Sequence, residues 1–246
     1  MKMAYLGELI SIGVAFSWTA TALLSEYGSK RMGNLTLNVL RMLLTLVFSS
    51  ALFTFTTGTP LPAGGSAEAY GWMLLSGLVG YVIGDFCLFQ CYIIIGSRFG
   101  QLFMTLAPAA AALFGFILLG ERMSPLAILG MFITMFGIGL SVLSKGGEHH
   151  KLNLKLPIKG ILLGIGAGLG QGIGLVLSKV GMTHYETLIQ TPEALSLMPF
   201  ASTFMRAVTG LMGFTLTMLI TRKTRTVARA AGSRAGAGQV DVELPD

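Results

Sequence analysis

The sequence predicts an all-α fold: a polytopic membrane helix bundle of seven spans, in which a five-helix repeat is followed by an incomplete, inverted second repeat. Three observations predict it. The chain of 246 residues is 53% hydrophobic and only 11% charged, whereas soluble domains carry about 25% charged residues. Its apolar residues fall into seven runs, each close to the roughly 20 residues that a helix needs to cross hydrocarbon. The segments beginning at Ile10 and Ile161 also share a layout.

The same composition excludes other classes. One core could not shelter this much apolar surface from water. The formal charge of +6 sits in short loops and a tail, not in a basic patch with interleaved aromatics, so no nucleic-acid partner is expected. Cys87 and Cys91 are four residues apart in one apolar run, a poor geometry for a disulfide. They read as small hydrophobes. The three histidines do not converge on them, so neither a metal nor a cofactor is expected.

The first span is 5–24. Met1-Lys2 is too short a basic region for a cleaved signal peptide. Ser11, Trp18 and Ser25 recur every seven residues with Thr21 between them, a polar stripe on an apolar helix. That stripe either lines an internal path or serves helix packing. Span two is 35–55, with Arg41 one turn from its start, where snorkelling to headgroups would accommodate it. The third span, 70–95, holds Asp85 near its middle. An ionised carboxylate there costs about 2.5 kcal/mol or more unless it faces protein or water. Tyr81, Asp85, Phe89 and Tyr92 share one side, with Gln90 displaced from them. Asp85 either serves a pathway or caps a helix broken after Gly84.

In the fourth span, 101–119, Pro108 removes a backbone donor and predicts a kink near Met104. Glu121 and Arg122 mark the boundary before Ser124-Pro125, a cap and a first-turn proline that open the fifth span, 126–143. A charged linker follows at 146–159. His149 and His150 beside Glu148 make a poor metal site there. In the sixth span, 160–180, Gly160, Gly164, Gly168 and Gly172 form one ridge, and Gly166, Gly170 and Gly174 a second. Such ridges let backbones meet in lipid. Gln171 is the polar residue at its centre. A loop is expected over 181–199, then the seventh span, 199–220, with Arg206 near its start. The tail, 221–246, has the composition of a disordered segment.

The repeat pairs ISIGVAFSWTATALLSEYG with ILLGIGAGLGQGIGLVLSKVG, and NVLRMLLTLVF with TFMRAVTGLMGF, aligning Arg41 with Arg206. Five spans precede the second copy. An odd number inverts it, an arrangement common in secondary transporters. A retinal protein would need a lysine at the centre of its last helix, where Arg206 is the only cation. A membrane enzyme would need several converging acids or histidines, which the sequence does not offer.

Arg41 in NVLRMLL, the stretch GLVGYVIGDFCLFQCYIIIGSR, the stretch LAPAAAALFGFILLGERMSP with Pro108 and Glu121, and the pieces around Lys179 and Arg206 resemble the EamA-like branch of the drug/metabolite transporter superfamily over residues 6–220. The resemblance implies two inverted five-helix repeats in a bacterial-type plasma membrane. It also implies movement of small metabolites by alternating access, with proton exchange in some members. It places Trp18, Asp85, Gln90, Pro108 and Gln171 near a central cavity, and gives Glu121 a structural place in a helix connection. The first repeat would be 1–145 and the incomplete second 160–220. No apolar run follows the seventh span, so the last three helices of the pattern are missing. Truncation, a shifted reading frame, or completion by a second copy or a partner subunit would each account for that.

Two functions are therefore expected to compete. One is a secondary transporter of small metabolites, with Asp85 taking up a proton or meeting a cation, and Arg41 and Arg206 anchoring helix ends or countering a carboxylate. The other is a non-transporting membrane scaffold completed by a partner. Lys2, Arg122 and Lys179 fall on one side of the membrane against twelve loop and tail cations on the other. By charge the N-terminus is expected outside, whereas the resemblance implies a cytoplasmic N-terminus.

Overall fold

Apolar sequence with so few charges forms helices because lipid offers the backbone no hydrogen-bond partners, and a helix satisfies its own. The computed structural model describes residues 6–62, 65–144, 157–186 and 192–221. Within these the regular structure is helical: α1 (Leu6–Met32), α2 (Asn34–Thr57), α3 (Ala67–Gly77), a π-helical segment (Leu78–Asp85), α4 (Phe86–Met104), α5 (Leu106–Leu119), α6 (Pro125–Ser144), α7 (Ile158–Glu186) and α8 (Pro192–Ile220). Among the described residues, five helices are long and apolar enough to cross a membrane: Gly7–Met32, Asn34–Thr57, Ala67–Met104, Ile158–Tyr185 and Ser196–Ile220. Leu106–Leu119 and Pro125–Gly137 are apolar but shorter, so by length five spans are met where seven were expected.

Several boundaries differ from expectation. α1 continues eight residues beyond Leu24 and stops only at Gly33, whose φ of 81° suits a residue without a side chain. The expected loop over 181–199 is mostly helix, since α7 runs on to Glu186 and α8 already begins at Pro192. Proline is favourable at a first helical position, where its missing N–H is not needed. Pro199 then lies inside α8, and its carbonyl accepts a hydrogen bond from Thr203 Oγ1 at 2.9 Å. His149, His150 and nearly all of the expected linker and tail lie outside the described residues.

Other local signals act as anticipated. The chain turns between the third and fourth apolar runs at Gly96, where φ is 85°. Just past this break, the freed Ser97 N–H donates to Glu26 Oε2 of α1 at 2.9 Å. The helix is interrupted again at Thr105, between α4 and α5, one turn before Pro108. Ser124 Oγ accepts from Ala127 N–H and so caps α6 ahead of Pro125.

α7 is the axis of the bundle. Its glycines set its neighbours. A Cβ on Gly166 would lie 3.4 Å from Cys87 Sγ, one on Gly170 2.9 Å from Gly84 Cα, one on Gly174 2.7 Å from Gly80 Cα, and one on Gly181 2.8 Å from the Met73 side chain. As α7 rises in number its partner falls, so α7 runs antiparallel to the helix 67–95. The other ridge packs on the next helix: a Cβ on Gly168 would lie 2.5 Å from Phe103 O and one on Gly172 2.4 Å from Ala107 O. α1 runs the opposite way to α7. Its Ala22 packs with Leu88, Phe89 and Tyr92, and its Glu26 with Ser97.

α8 closes the other flank against α2 and α3. Phe53, Ala69, Met73, Tyr185, Ala201 and Phe204 cluster there, with Phe53 and Phe204 edge to face at 6.3 Å. Lipid tails are as apolar as these residues, so van der Waals fit, not exclusion from water, holds such a cluster. α1 and α6 lie at the margin and expose large apolar side chains such as Ile10, Phe16, Phe132 and Phe136, as lipid-facing helices do.

The glycine contacts predict a sharp contrast. Gly172→Leu drives a side chain into the Ala107 carbonyl and is expected to destabilise the bundle by about 1–3 kcal/mol. Gly130→Ala meets nothing within 4 Å and is expected to leave the melting temperature in detergent unchanged or slightly raised. Equal melting temperatures for the two variants would contradict this packing.

Candidate functional site

Asp85 closes the π-helical segment and is 3% exposed. Its backbone is helical and its side chain makes no capping bond, so the helix is not broken at Gly84. Gly80 and Gly84 allow α7 to approach within backbone contact, and this brings Gln171 to the acid. Gln171 Nε2 donates to Asp85 Oδ1 at 2.6 Å and to the Gly80 carbonyl at 3.1 Å. Arg41 of α2 donates from Nη2 to Asp85 Oδ2. Both carboxylate oxygens are thereby engaged, one by a charge and one by an amide. Arg41 does not snorkel to the headgroups; it turns inward to the acid.

α2 is fixed in this register by its own polar stripe. Asn34 Nδ2 donates to the Phe86 carbonyl at 2.8 Å, and Asn38 Nδ2 donates to Asn34 Oδ1 at 2.6 Å. Arg41 and Thr45 continue the same face one and two turns on. Tyr81 adds an aromatic surface to the charges. The Arg41 guanidinium carbon is 5.9 Å from its ring centroid and that of Arg206 is 4.4 Å away; Arg41 also lies 4.9 Å from the Phe89 centroid. Arg206, on α8, is 7% exposed, and its Nε has no hydrogen-bond partner.

Two cavities open on this cluster. The smaller, about 250 Å³, is walled by Trp18, Thr21 and Ser25 of α1, Arg41 and Thr45 of α2, Tyr81, Asp85, Phe89 and Tyr92 of the third apolar run, and Gln101 and Gln171. The larger, about 840 Å³, extends between α5, α6 and α7 along Met104, Pro108, Ala111, Met131, Met135 and Leu175, with Arg206 on its wall. Trp18, Tyr81, Gln101 and Gln171 belong to both.

Of the residues singled out from sequence, Trp18, Asp85, Pro108, Gln171, Arg41 and Arg206 are thus brought together around the two cavities. Trp18 is nevertheless 56% exposed, on the open side of α1. Ser11, the far end of its stripe, lines neither cavity and bonds back to the Gly7 carbonyl. Gln90 also lines neither. Gln101 stands on both walls and donates to the Tyr92 hydroxyl. Glu121 lines neither cavity and pairs with Lys179, tying the α5–α6 connection to α7. Cys87 and Cys91 are both free thiols. Among the described residues no group of three or more His, Cys, Asp or Glu comes together as a metal site.

Removing either member of the ion pair should have unequal effects. Arg41→Met strands a carboxylate whose side chain is 5% exposed, whereas Asp85→Asn strands a guanidinium that is 30% exposed and reaches the cavity. Breaking a buried pair costs about 3–5 kcal/mol. Arg41→Met is expected near the low end of that range, and Asp85→Asn at less. The double variant Arg41→Met/Asp85→Leu should regain most of the loss in a detergent thermal melt. Additive losses would contradict the pairing.

The geometry described so far unites apolar helices, a sheltered ion pair and a polar-walled cavity. A comparison of the sequence with protein families matches the EamA-like transporter family over residues 5–143, which takes in the helices from α1 almost to the end of α6. No curated protein and no solved structure matches the chain. Gln171 and Arg206 lie beyond the matched region, although they complete the cluster around Asp85. With more than half of its length matched, the chain is a membrane protein that belongs to the EamA-like transporter family.

Proposed function

We propose that this protein is a secondary transporter that moves small metabolites by alternating access, with Asp85, Gln171, Trp18 and Pro108 along the solute path. Gln101 takes the place on that path that the family resemblance gave to Gln90. The observation that carries the reading is the sheltered Arg41–Asp85–Gln171 cluster, which opens onto two cavities that share a wall. Charged groups are costly at such depth and concentrate on solute or proton routes. Exchange of a proton for Arg41 on Asp85 would couple transport to a proton gradient.

The helix directions support an inverted repeat, with 1–145 as its first unit and 160–220 as the part of the second unit present here. α1 and α7, which open the two units, run in opposite senses past the same helix. Helices 97–119 and α6 complete seven spans in this reading, the break at Gly96 dividing the long third helix in two. Lys30, Arg31, Arg98 and Lys159 then share one face of the membrane, and Arg122 and Lys179 the other. The bacterial-type plasma membrane is the proposed location.

A second reading is a scaffold whose bundle a partner completes. It is favoured by α1, of which only 6% of the apolar window is buried. Flux separates the two. Vesicles holding the full chain are expected to accumulate at least one member of a panel of labelled amino acids and small organic acids, and Asp85→Asn is expected to abolish that uptake. Uptake equal to empty vesicles across the panel would favour the scaffold.

A further inference from the structure

Charge around Asp85 does not balance. Arg41 and Arg206 are both permanently cationic, and Asp85 is the one carboxylate on the walls of the two cavities. Its oxygens are taken by Arg41 and Gln171. Arg206 makes no ion pair or hydrogen bond among the described residues, and its Nε is buried without a partner. Tyr81 lies 4.4 Å from the guanidinium carbon, a contact that orients the guanidinium but neutralises nothing. Gly80 makes room for it, because a Cβ there would lie 2.9 Å from Arg206 Nη2. Asp85 acts electrostatically on Arg206 as well as on Arg41, so two guanidinium groups share one carboxylate and one positive charge is left over at the wall of the larger cavity.

Gln101, Gln171, Thr105 and Thr134 add neutral polar groups to that cavity, and the remainder of its wall is largely apolar. Met104, Pro108, Ala111, Leu175 and Met135 extend away from Arg206, in a space of about 840 Å³. This volume is in the range of sites for drug-sized molecules, about 300–1,000 Å³. We propose that the larger cavity binds a monoanion with an apolar body: its single negative group meets Arg206 and its body lies along α5 and α7. One negative charge neutralises the cluster. A guanidinium fork suits a carboxylate or phosphodiester. A cationic solute would add a third positive charge to the group. This deepens the transport reading by naming the solute class, and rests on it only for the claim that the bound anion is carried.

The chemistry could come from a soluble carboxylate or from an anionic phospholipid, and the test separates them. Phenylacetate, phenylacetamide and phenethylamine share one body and differ in charge. Their binding to the purified full chain is measured by thermophoresis in nanodiscs of phosphatidylcholine. Phenylacetate is expected to bind at least about tenfold more tightly than the other two, consistent with a charge-assisted bond. Arg206→Met should erase that preference, and Arg206→Lys should retain the preference at reduced affinity. The lysine variant also covers the case in which Arg206→Met fails to fold. If phosphatidylglycerol in the discs abolishes phenylacetate binding to the wild-type chain, the anion site stands and lipid is its occupant. If binding persists, the occupant is a soluble anion. Failure of phenylacetate to bind more tightly than both analogues, or a preference unaltered in Arg206→Met, overturns the proposal. Carboxylate binding without flux would leave the site standing and remove the transport reading. Flux of neutral or cationic solutes without carboxylate binding would do the reverse.

Discussion

An ionised carboxylate midway along an apolar helix needs groups that replace water on both of its oxygens, and most of the packing in this protein follows from bringing those groups to Asp85. No residue of its own helix supplies them. Arg41 comes from α2 and Gln171 from α7, so two other helices must cross at that depth in fixed register. α2 is held by Asn34 on the Phe86 carbonyl. α7 is held by glycine, since only backbones without side chains meet as closely as Gly170 with Gly84 and Gly174 with Gly80. Ser76 reinforces the contact by donating to the Gly174 carbonyl at 2.5 Å.

The π-helical segment belongs to the same arrangement. Wider turns over Leu78–Asp85 leave irregular backbone where the helix touches α7, and the Gly80 carbonyl there accepts from Gln171. Such local insertions recur where side chains must be aimed at a functional centre. In this chain the segment ends at Asp85, and Tyr81 within it faces both arginines. A single helix thus carries the acid, the aromatic surface and the glycine contacts within eight residues.

Much of this was legible in the sequence, and the reasons are physical. Asp85 stood out because a charge in hydrocarbon demands protein around it. The two glycine ridges of α7 could be read directly from spacing; Gly164, Gly168 and Gly172 meet helix 97–119, and Gly166, Gly170 and Gly174 meet helix 67–95. Tyr81, Asp85, Phe89 and Tyr92 were placed on one side by periodicity, and all four line the smaller cavity. For Arg41 the sequence left open snorkelling, anchoring a helix end or countering a carboxylate, and did not single out its pairing with Asp85, because an arginine one turn into a span has an inexpensive outlet at the headgroups. The signal that could have found it is the stripe Asn34, Asn38, Arg41, Thr45, which has no reason to face lipid. The resemblance placed Gln90 near the cavity and drew no attention to Gln101. The turn at Gly96 folds the chain back and brings Gln101 to the cavity instead. Helix ends were the weakest part, since nothing in an apolar run marks where α1 and α7 stop or α8 starts beyond the hydrocarbon.

The matched family region and the completed cluster do not coincide, and that mismatch bears on mechanism. Residues 5–143 contain Asp85 and Arg41, a pair that is neutral by itself. Gln171 and Arg206 arrive on α7 and α8 and add one amide and one positive charge. α7 meets residues 67–119 largely through glycines, and the Ser76–Gly174 and Gln171–Gly80 hydrogen bonds fix its register there. In the proposed transport cycle, a shift of α7 and α8 that moved Gln171 off Asp85 and Arg206 off Tyr81 would have to break those bonds, but not the Arg41–Asp85 pair. The unbalanced charge therefore lies at the seam where α7 and α8 meet the helices of the matched region.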